Sequence, residues 1–318
     1  MSAKLLHKHR RGVRNENLGW VFVAPWIIGF LGLTITPLLV SLWLSFTEWN
    51  GFGGISSAEF VGLQNYKNLF DISTKYGESF YAALQNTLIY TVMAICINLV
   101  VGISVAWAVV KNNKVNSILR MVIYLPTLTI STAFAIMMDT IIGIKTQSLI
   151  NRLMLMANGT TQAWLTTPGQ AIWVMVMLCF WGIGGAMLTY FSGMKQIDEN
   201  IYDAAKIDGA GNMMLLLRIC IPLMAGVIVY QMIMGVVFGL QVFDVAVGLS
   251  SIVGAGDGVM GRGNSLATLS FYLYNKSFVD GEMGMGSAIG WVIFCISLVF
   301  SLGLLVFVQK TGYYSLDD

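Results

Sequence analysis

Six long stretches of this chain contain no Asp, Glu, Lys or Arg: residues 17–47, 79–110, 121–138, 153–194, 219–243 and 283–309. A helix needs roughly 20 apolar residues to cross about 30 Å of hydrocarbon, so a chain with six such stretches is predicted to lie in a bilayer. In lipid each stretch must satisfy its own backbone polar groups, and these lengths leave only helices. The spacing predicts spans near 19–46, 86–110, 120–142, 171–194, 219–247 and 285–309. The long stretch 153–194 holds one span rather than two. Polar, turn-forming runs at 158–162 and 166–170 assign 144–170 to a loop. The expected fold class is an all-α polytopic membrane protein.

Composition excludes the alternatives. Of 318 residues, 56% are apolar and 11% charged, with a mean hydropathy of +0.73. A soluble domain carries about 25% charged residues, so both a water-soluble enzyme and a disordered chain are ruled out. The net charge of +2 comes without a basic block long enough for a nucleic-acid surface. Lipid is the expected environment.

Orientation is read from Lys and Arg. With a cytoplasmic N-terminus, twelve fall on inside segments: Lys4, Lys8, Arg10, Arg11, Arg14, Lys111, Lys114, Arg120, Lys195, Lys206, Arg218 and Lys310. Six fall outside: Lys67, Lys75, Lys145, Arg152, Arg262 and Lys276. Positive charge concentrates on the cytoplasmic side. Both termini are then expected inside, as a basic tail over 1–18 and a short tail over 311–318. The first span is too long for a cleavable signal and is expected to remain as an anchor.

Recognisable chemistry is sparse. The sequence contains no G-x-x-x-x-G-K-[ST] phosphate loop, no H-E-x-x-H and no nucleophile elbow. Cys96, Cys179, Cys220 and Cys295 fall on or beside four different spans without metal spacing, and read as small packing residues. His7 and His9 lie in the basic tail. Within the spans the carboxylates are Asp139 and Asp244, both near outer ends, whereas proton- or ion-driven carriers need intramembrane charges. No catalytic residue, metal or cofactor of its own is expected. The 19 Met residues read as adaptable packing. A membrane-embedded enzyme would need clustered carboxylates or His, and a self-sufficient carrier would need its own coupling groups.

One inside loop looks built for a partner. In 195–218, Asp198 is a good N-cap, Glu199 suits a first turn, and Gly209 and Gly211 allow a sharp exit. Ile197, Ile201, Ala204, Ala205 and Asp208 recur at helical spacing. A surface connector and a docking helix laid in a groove both fit this pattern.

The pattern Asp203-Ala204-Ala205-x3-Gly209-x9-Ile219-x-Ile221-Pro222 resembles the Glu-Ala-Ala-x3-Gly-x9-Ile-x-Leu-Pro loop of ABC importer permeases, with Asp for Glu and Ile for Leu. Lys206–Gly211, Phe60–Tyr66, Asn86-Thr87-Leu88, Arg120 with Leu125-Pro126, and Ala163-Trp164-Leu165 resemble the carbohydrate-uptake branch, the maltose-type and glycerol-phosphate-type permeases. The resemblance covers roughly residues 18–310 and implies a six-span, MetI-like permease core in the inner membrane. It also implies a second, non-identical permease, two cytoplasmic ATPases holding ATP and Mg, and an extracytoplasmic sugar-binding protein. The cargo would be a di- or oligosaccharide, with glycerol phosphate esters as the alternative. Tyr202, Asp203, Ala204, Ala205, Lys206, Asp208, Gly209 and Gly211 would then form the ATPase-coupling element.

For the substrate path, Leu178, Trp181, Gly182, Gly185 and Leu188 are expected on one face of the fourth span. Gly235, Gly239 and Val242 share a face of the fifth, beside Gln241, Phe243 and Asp244. Equivalent stretches line the site in maltose-type permeases. Two readings stay open for each group. Gly235-x-x-x-Gly239 is either a helix-packing notch or a widened path, and Trp181 either packs or offers a sugar platform. Trp20, Trp26, Trp43 and Trp49 are expected at interfaces. The outer loop 47–85 is expected to form short surface helices, and the Gly-rich 254–263 is not a calcium loop.

Overall fold

The computed structural model describes residues 16–142, 148–157, 159–167, 169–253 and 260–310. Most of the two predicted tails, Lys145 and residues 254–259 lie outside these residues. The chain begins with α1 (Glu16–Phe30), a π-helical turn at Leu31–Ile35 and α2 (Thr36–Leu44). Thr36 Oγ1 donates 2.9 Å to the Leu31 carbonyl across that turn. Around α1 and the turn, Trp20, Phe22, Trp26, Ile28 and Leu33 are all exposed. A helix apolar on every side and uncovered by protein has lipid as its solvent.

Beyond α2, β1 (Thr47–Glu48) pairs antiparallel with β2 (Glu59–Phe60), with Thr47 opposite Phe60. α3 (Gln64–Phe70) follows. Asn65 anchors this segment by donating to the Ser45 and Thr47 carbonyls at 3.0 and 2.9 Å. α4 (Lys75–Ile97) starts eleven residues before the expected span, because Thr74 caps it by accepting from Gly77 N at 3.0 Å. The intervening outer segment is correspondingly shorter and holds the expected short helices. A π turn at Asn98–Gly102 leads into α5 (Ile103–Ala108).

α6 (Lys114–Tyr124), capped by Asn113, and α7 (Ser131–Ile142) replace the continuous helix expected over 120–142. The break is a 3-10 turn at Leu125–Leu128 containing Pro126, which has no N–H to continue an α ladder. The expected loop 144–170 carries a helix, α8 (Leu149–Met156). α9 (Ala171–Leu178) and α10 (Ile183–Gln196) are bent by 42° at 179–182. Then come α11 (Glu199–Ile207), α12 (Asn212–Met214), a π segment at Leu215–Cys220 and α13 (Ile221–Leu223), with Pro222 in its first turn. α14 (Ala225–Leu240), α15 (Asp244–Val253), α16 (Leu269–Tyr274), a π turn at Asn275–Val279 and α17 (Met283–Lys310) complete the chain.

By length and hydropathy, four helical stretches among the described residues can cross a membrane: Phe22–Leu44, Lys75–Ala108, Ala225–Val253 and Met283–Lys310. The bent pair α9–α10 makes a fifth if taken as one span. The remaining expected span is the pair α6–α7.

Among the described residues four buried clusters hold the bundle together, the smallest joining α4, α9 and α10 through Ile97, Val176 and Ile183. Of the other three, one joins α7, α9, α15 and α16 through Met138, Met175, Leu249 and Phe271. A second joins α3, α4, α16 and α17 through Leu69, Phe80, Tyr272 and Ile289. The third joins α5, α10 and the approach to α14 through Ile103, Met187, Tyr190, Met194 and Cys220. Lipid is as apolar as these side chains, so their contribution comes from close packing rather than from escape from water.

At one end of the bundle, Lys276 lies over the Tyr76 ring at 4.6 Å and pairs with Asp280 at 2.8 Å and Glu282 at 3.4 Å. Tyr76 Oη donates to Glu282 at 3.1 Å, tying α4 to the start of α17. Burial alone would lower the Lys276 pKa, but the hydrogen bond to Asp280 and the nearby carboxylates outweigh it and raise the ammonium above its ordinary value. At the opposite end, residues 107–112 and 194–215 come together. The structure thus groups at one end the loops read as inside.

Candidate functional site

Two places gather the residues singled out from the sequence. The first is the elbow around α11. Asp198 caps the helix, its carboxylate accepting from Asn200 N at 2.9 Å, and Glu199 occupies the first turn, where the helix dipole favours an anion. Gly209 ends it with φ +82°. Gly209 N donates to Lys206 O at 3.0 Å and Ala210 N to Ala205 O at 2.9 Å. These are the two bonds of a Schellman closure, which requires a left-handed residue at the Gly209 position.

The elbow has two faces. Inward, Tyr202 Oη donates to the Met194 carbonyl at 3.4 Å, and its ring lies 6.3 Å from that of Trp107. It also reaches the thiol of Cys220. One side chain thus touches the ends of α5 and α10 and the entry to α14. Burial, with the Cys220 contact adding to it, pushes the Tyr202 phenol well above its ordinary pKa, so it remains a donor. Outward, Ile201, Ala204 and Asp208 are exposed, and Ile207 is 86% exposed. Ala205 is half-buried and Gly211 exposed. Asp203 and Lys206 pair at 2.7 Å on the surface. Arg120 braces the same end: Nη1 donates to Val109 O at 2.7 Å, and the guanidinium lies 4.4 Å over Phe191.

The second place is a cavity of about 490 Å³ between α4, the α9–α10 bend, α14 and the start of α15. It gathers Leu178, Gly182, Gly185, Gly235 and Gly239 from the expected path. The remainder of that set is placed elsewhere. The bend at 179–182 breaks the single face expected for the fourth span, leaving Trp181 exposed outside the wall and Leu188 half-buried in the third cluster. Val242 is buried in the first cluster, where Thr268 Oγ1 donates to its carbonyl at 2.8 Å. The Phe243 ring lies 5.3 Å from that of Tyr274, tilted by 58°. Gln241 closes α14, and Asp244 opens α15 as a first-turn acid.

The two readings of Gly235 and Gly239 turn out to be compatible. A Cβ on Gly235 would stand 2.7 Å from Ile95 Cγ1, and one on Gly239 the same distance from Thr91, so both glycines are where α14 meets α4. They also border the cavity. The polar wall comes from residues the sequence reading passed over: Tyr90, Asn98, Thr189, Tyr230 and Gln231. Thr189 Oγ1 is taken up by Gly185 O at 3.2 Å. The side-chain amides of Asn98 and Gln231 have no hydrogen-bond partner among the described residues. The signal was present as spacing: Tyr90, Ala94 and Asn98 recur every four residues, as do Gln231, Gly235 and Gly239, so each set lines one helix face.

Comparison with known proteins agrees with this layout. Residues 98–312 match the family described as "Binding-protein-dependent transport system inner membrane component". The probable ABC transporter permease protein YesP of Bacillus subtilis (strain 168) is 32% identical over 314 residues, covering 96% of this chain and 94% of that protein. The arabinooligosaccharides transport system permease protein AraP of the same organism is 30% identical over 287 residues, covering 89% and 86%. The lactose transport system permease protein LacF of Rhizobium radiobacter is 30% identical over 265 residues, covering 82% and 83%. Among solved structures, a chain of a bacterial ABC transporter involved in the import of the acidic polysaccharide alginate superposes with a TM-score of 0.75 at 18% identity, covering 94% of this chain and 97% of that one. The chain therefore belongs to the binding-protein-dependent transport family, as an inner-membrane permease component of an ABC importer.

Proposed function

We propose that this chain is one of two non-identical permeases that together carry a neutral di- or oligosaccharide inward. Relatives named for arabinooligosaccharides and for lactose support the sugar class. An extracytoplasmic binding protein delivers the cargo, and two cytoplasmic ATPases, holding ATP and Mg, drive the cycle. An importer of alginate captured in complex with its oligosaccharide-bound periplasmic protein supports that assignment of partners. The six spans are α1–α2, α4–α5, α6–α7, α9–α10, α14–α15 and α17, with both termini in the cytoplasm.

The observation that carries the reading is the two-faced elbow. Its outer side is exposed, with apolar Ile201, Ala204 and Ile207 beside the Asp203–Lys206 pair and Asp208, where a motor cleft would grip it, and its inner face is pinned by Tyr202 to three other elements. Pulling on α11 therefore moves the ends of α5, α10 and α14, and α10 and α14 also wall the 490 Å³ cavity. This is the arrangement coupling requires: one element whose position two distant sites both bias. The free amides of Asn98 and Gln231 offer hydrogen bonds to sugar hydroxyls. Among the described residues no Lys, Arg or His lines the cavity, which disfavours the phosphate-ester alternative, since phosphate recognition calls for charged donors.

The test is reconstitution of the four-subunit complex in vesicles. ATP hydrolysis should rise on adding the binding protein with its sugar, and uptake should require ATP. Uptake by this chain alone would favour a self-sufficient carrier.

A further inference from the structure

A second cavity, of about 500 Å³, opens behind the elbow, between α11 and the neighbouring ends of α5, α10 and the segment entering α14. Its inner wall is aromatic and apolar, with Trp107, Tyr202, Met194 and Leu215. Its rim carries three ammonium groups, Lys111, Lys195 and Lys206, and two side-chain amides, Asn112 and Asn212. The volume lies within the roughly 300–1,000 Å³ typical of small-molecule sites, and a mixed lining with a few convergent polar groups is their usual composition.

Glu199 and Asp203 also reach this rim, and each is already paired: Lys195 with Glu199 at 3.8 Å, Lys206 with Asp203 at 2.7 Å. Both carboxylates are largely exposed, at 86% and 67%, and pairs of that kind contribute little. Lys111 makes no ion pair among the described residues. The lining thus holds three ammonium groups against two exposed carboxylates, a net positive charge that favours an anion, and charge-assisted bonds to phosphate are about twice as strong as neutral ones. Trp107 and Tyr202, with ring centroids 6.3 Å apart and tilted by 45°, offer aromatic surface to whatever ring carries the anion.

We propose that this cavity binds an organic phosphate, and that its occupant wedges the elbow and slows coupling. The inference rests on the import reading above. A soluble sugar phosphate fits it best: a ring against the aromatic wall and the phosphate at the lysine rim. An inner-leaflet phospholipid headgroup presents the same phosphate chemistry. Of the residues read as the coupling element, Tyr202, Asp203 and Lys206 line this cavity, whereas the exposed Ile201, Ala204 and Ile207 do not, so an occupant would press on the elbow from beside the apolar positions left open to a motor.

The assembled complex in phosphatidylcholine nanodiscs is titrated with radiolabelled glucose 6-phosphate by equilibrium dialysis, with glucose as control. Saturable binding is expected, at least tenfold weaker in the double variant K111Q/K195Q, whose positions are exposed and whose assembly is checked by size exclusion. Glucose 6-phosphate should lower sugar-stimulated ATP hydrolysis several-fold in the unaltered complex and leave the double variant unaffected. The same titration in phosphatidylglycerol discs separates the sources. Competition by the lipid, itself dependent on Lys111 and Lys195, assigns the phosphate to a headgroup. If neither membrane shows lysine-dependent phosphate binding, the inference is overturned. Because sugar-stimulated hydrolysis is read on the same samples, its loss marks failure of the import reading and its persistence without phosphate binding marks failure of this one.

Discussion

Gly239 on α14 and Thr91 on α4 leave no room for a methyl group between them: a Cβ on Gly239 would stand 2.7 Å from both Oγ1 and Cγ2 of Thr91. Thr91 has little freedom to retreat, because its hydroxyl donates 2.7 Å to Thr87 O and the side chain is buried. Replacing Gly239 by Ala is therefore expected to destabilise the fold by about 1–3 kcal/mol, the usual cost of overpacking. Adding Thr91→Ala should return most of that loss, and the coupling energy of the pair is read from thermal melts of the two single variants and the double. Additive effects would show that the helices do not meet there.

Tyr202 is expected to separate stability from coupling. Tyr202→Phe removes the hydroxyl's weak contacts with Met194 O and the Cys220 thiol and keeps the ring against Trp107, so the loss of stability should be about 0.5–1.5 kcal/mol. The sugar transported per ATP hydrolysed should fall, because the hydroxyl links α11 to the end of α10. Tyr202→Ala should lower that ratio further. An unchanged ratio in both variants would remove Tyr202 from the transmission path.

Gly209 tests the geometry of the elbow. Open space surrounds the position where a Cβ would sit, so only the backbone objects to a side chain there. Holding a non-glycine residue at φ +82° costs about 1–2 kcal/mol, with Asn the most tolerant. Gly209→Val is expected to weaken co-purification of the ATPases several-fold, and Gly209→Asn to restore it. Equal loss in both would point to contact with the glycine itself instead of to the turn.

Lys276 is expected to stabilise the opposite end without acting as a pH sensor near neutrality. Its pKa is raised in the folded chain, so its contribution is fully present below the ordinary lysine value and is lost only as pH rises through the higher folded value. Lys276→Met should cost roughly 1–2 kcal/mol, less than a fully buried pair because Asp280 and Glu282 keep 39% and 37% of their side chains exposed. The difference in melting temperature between Lys276→Met and the unaltered chain should stay constant from pH 7 to about 9 and shrink above about 10.5. A difference that changed near pH 7 would contradict the assignment.

The elbow was legible because its signals are local. Asp198, Glu199 and Gly209 each act within one turn, and the cap and closure follow from their residue types alone. The breaks in the spans were harder to read. Apolar content is continuous through 120–142, yet Pro126 divides it, and nothing in hydropathy marks the bend at 179–182. The cavity was half legible. Its glycines announced themselves, whereas Asn98 and Gln231 were hidden as single polar residues in apolar runs, visible only by reading their four-residue spacing with Ala94 and Gly235. Val242 was expected on the face of Gly235 and Gly239, with Phe243 beside it, but α14 ends at Leu240, so that helix face does not continue to them.

The claim on which the rest depends is that α11 meets a motor subunit. A photo-crosslinking residue in place of Ile207, the most exposed apolar side chain of the elbow, measures this most directly in the reconstituted complex. The account predicts a crosslink to the ATPase whose yield changes between the nucleotide-free and ATP-bound states. A crosslink to the extracytoplasmic binding protein, or none to the ATPase in either state, would contradict it.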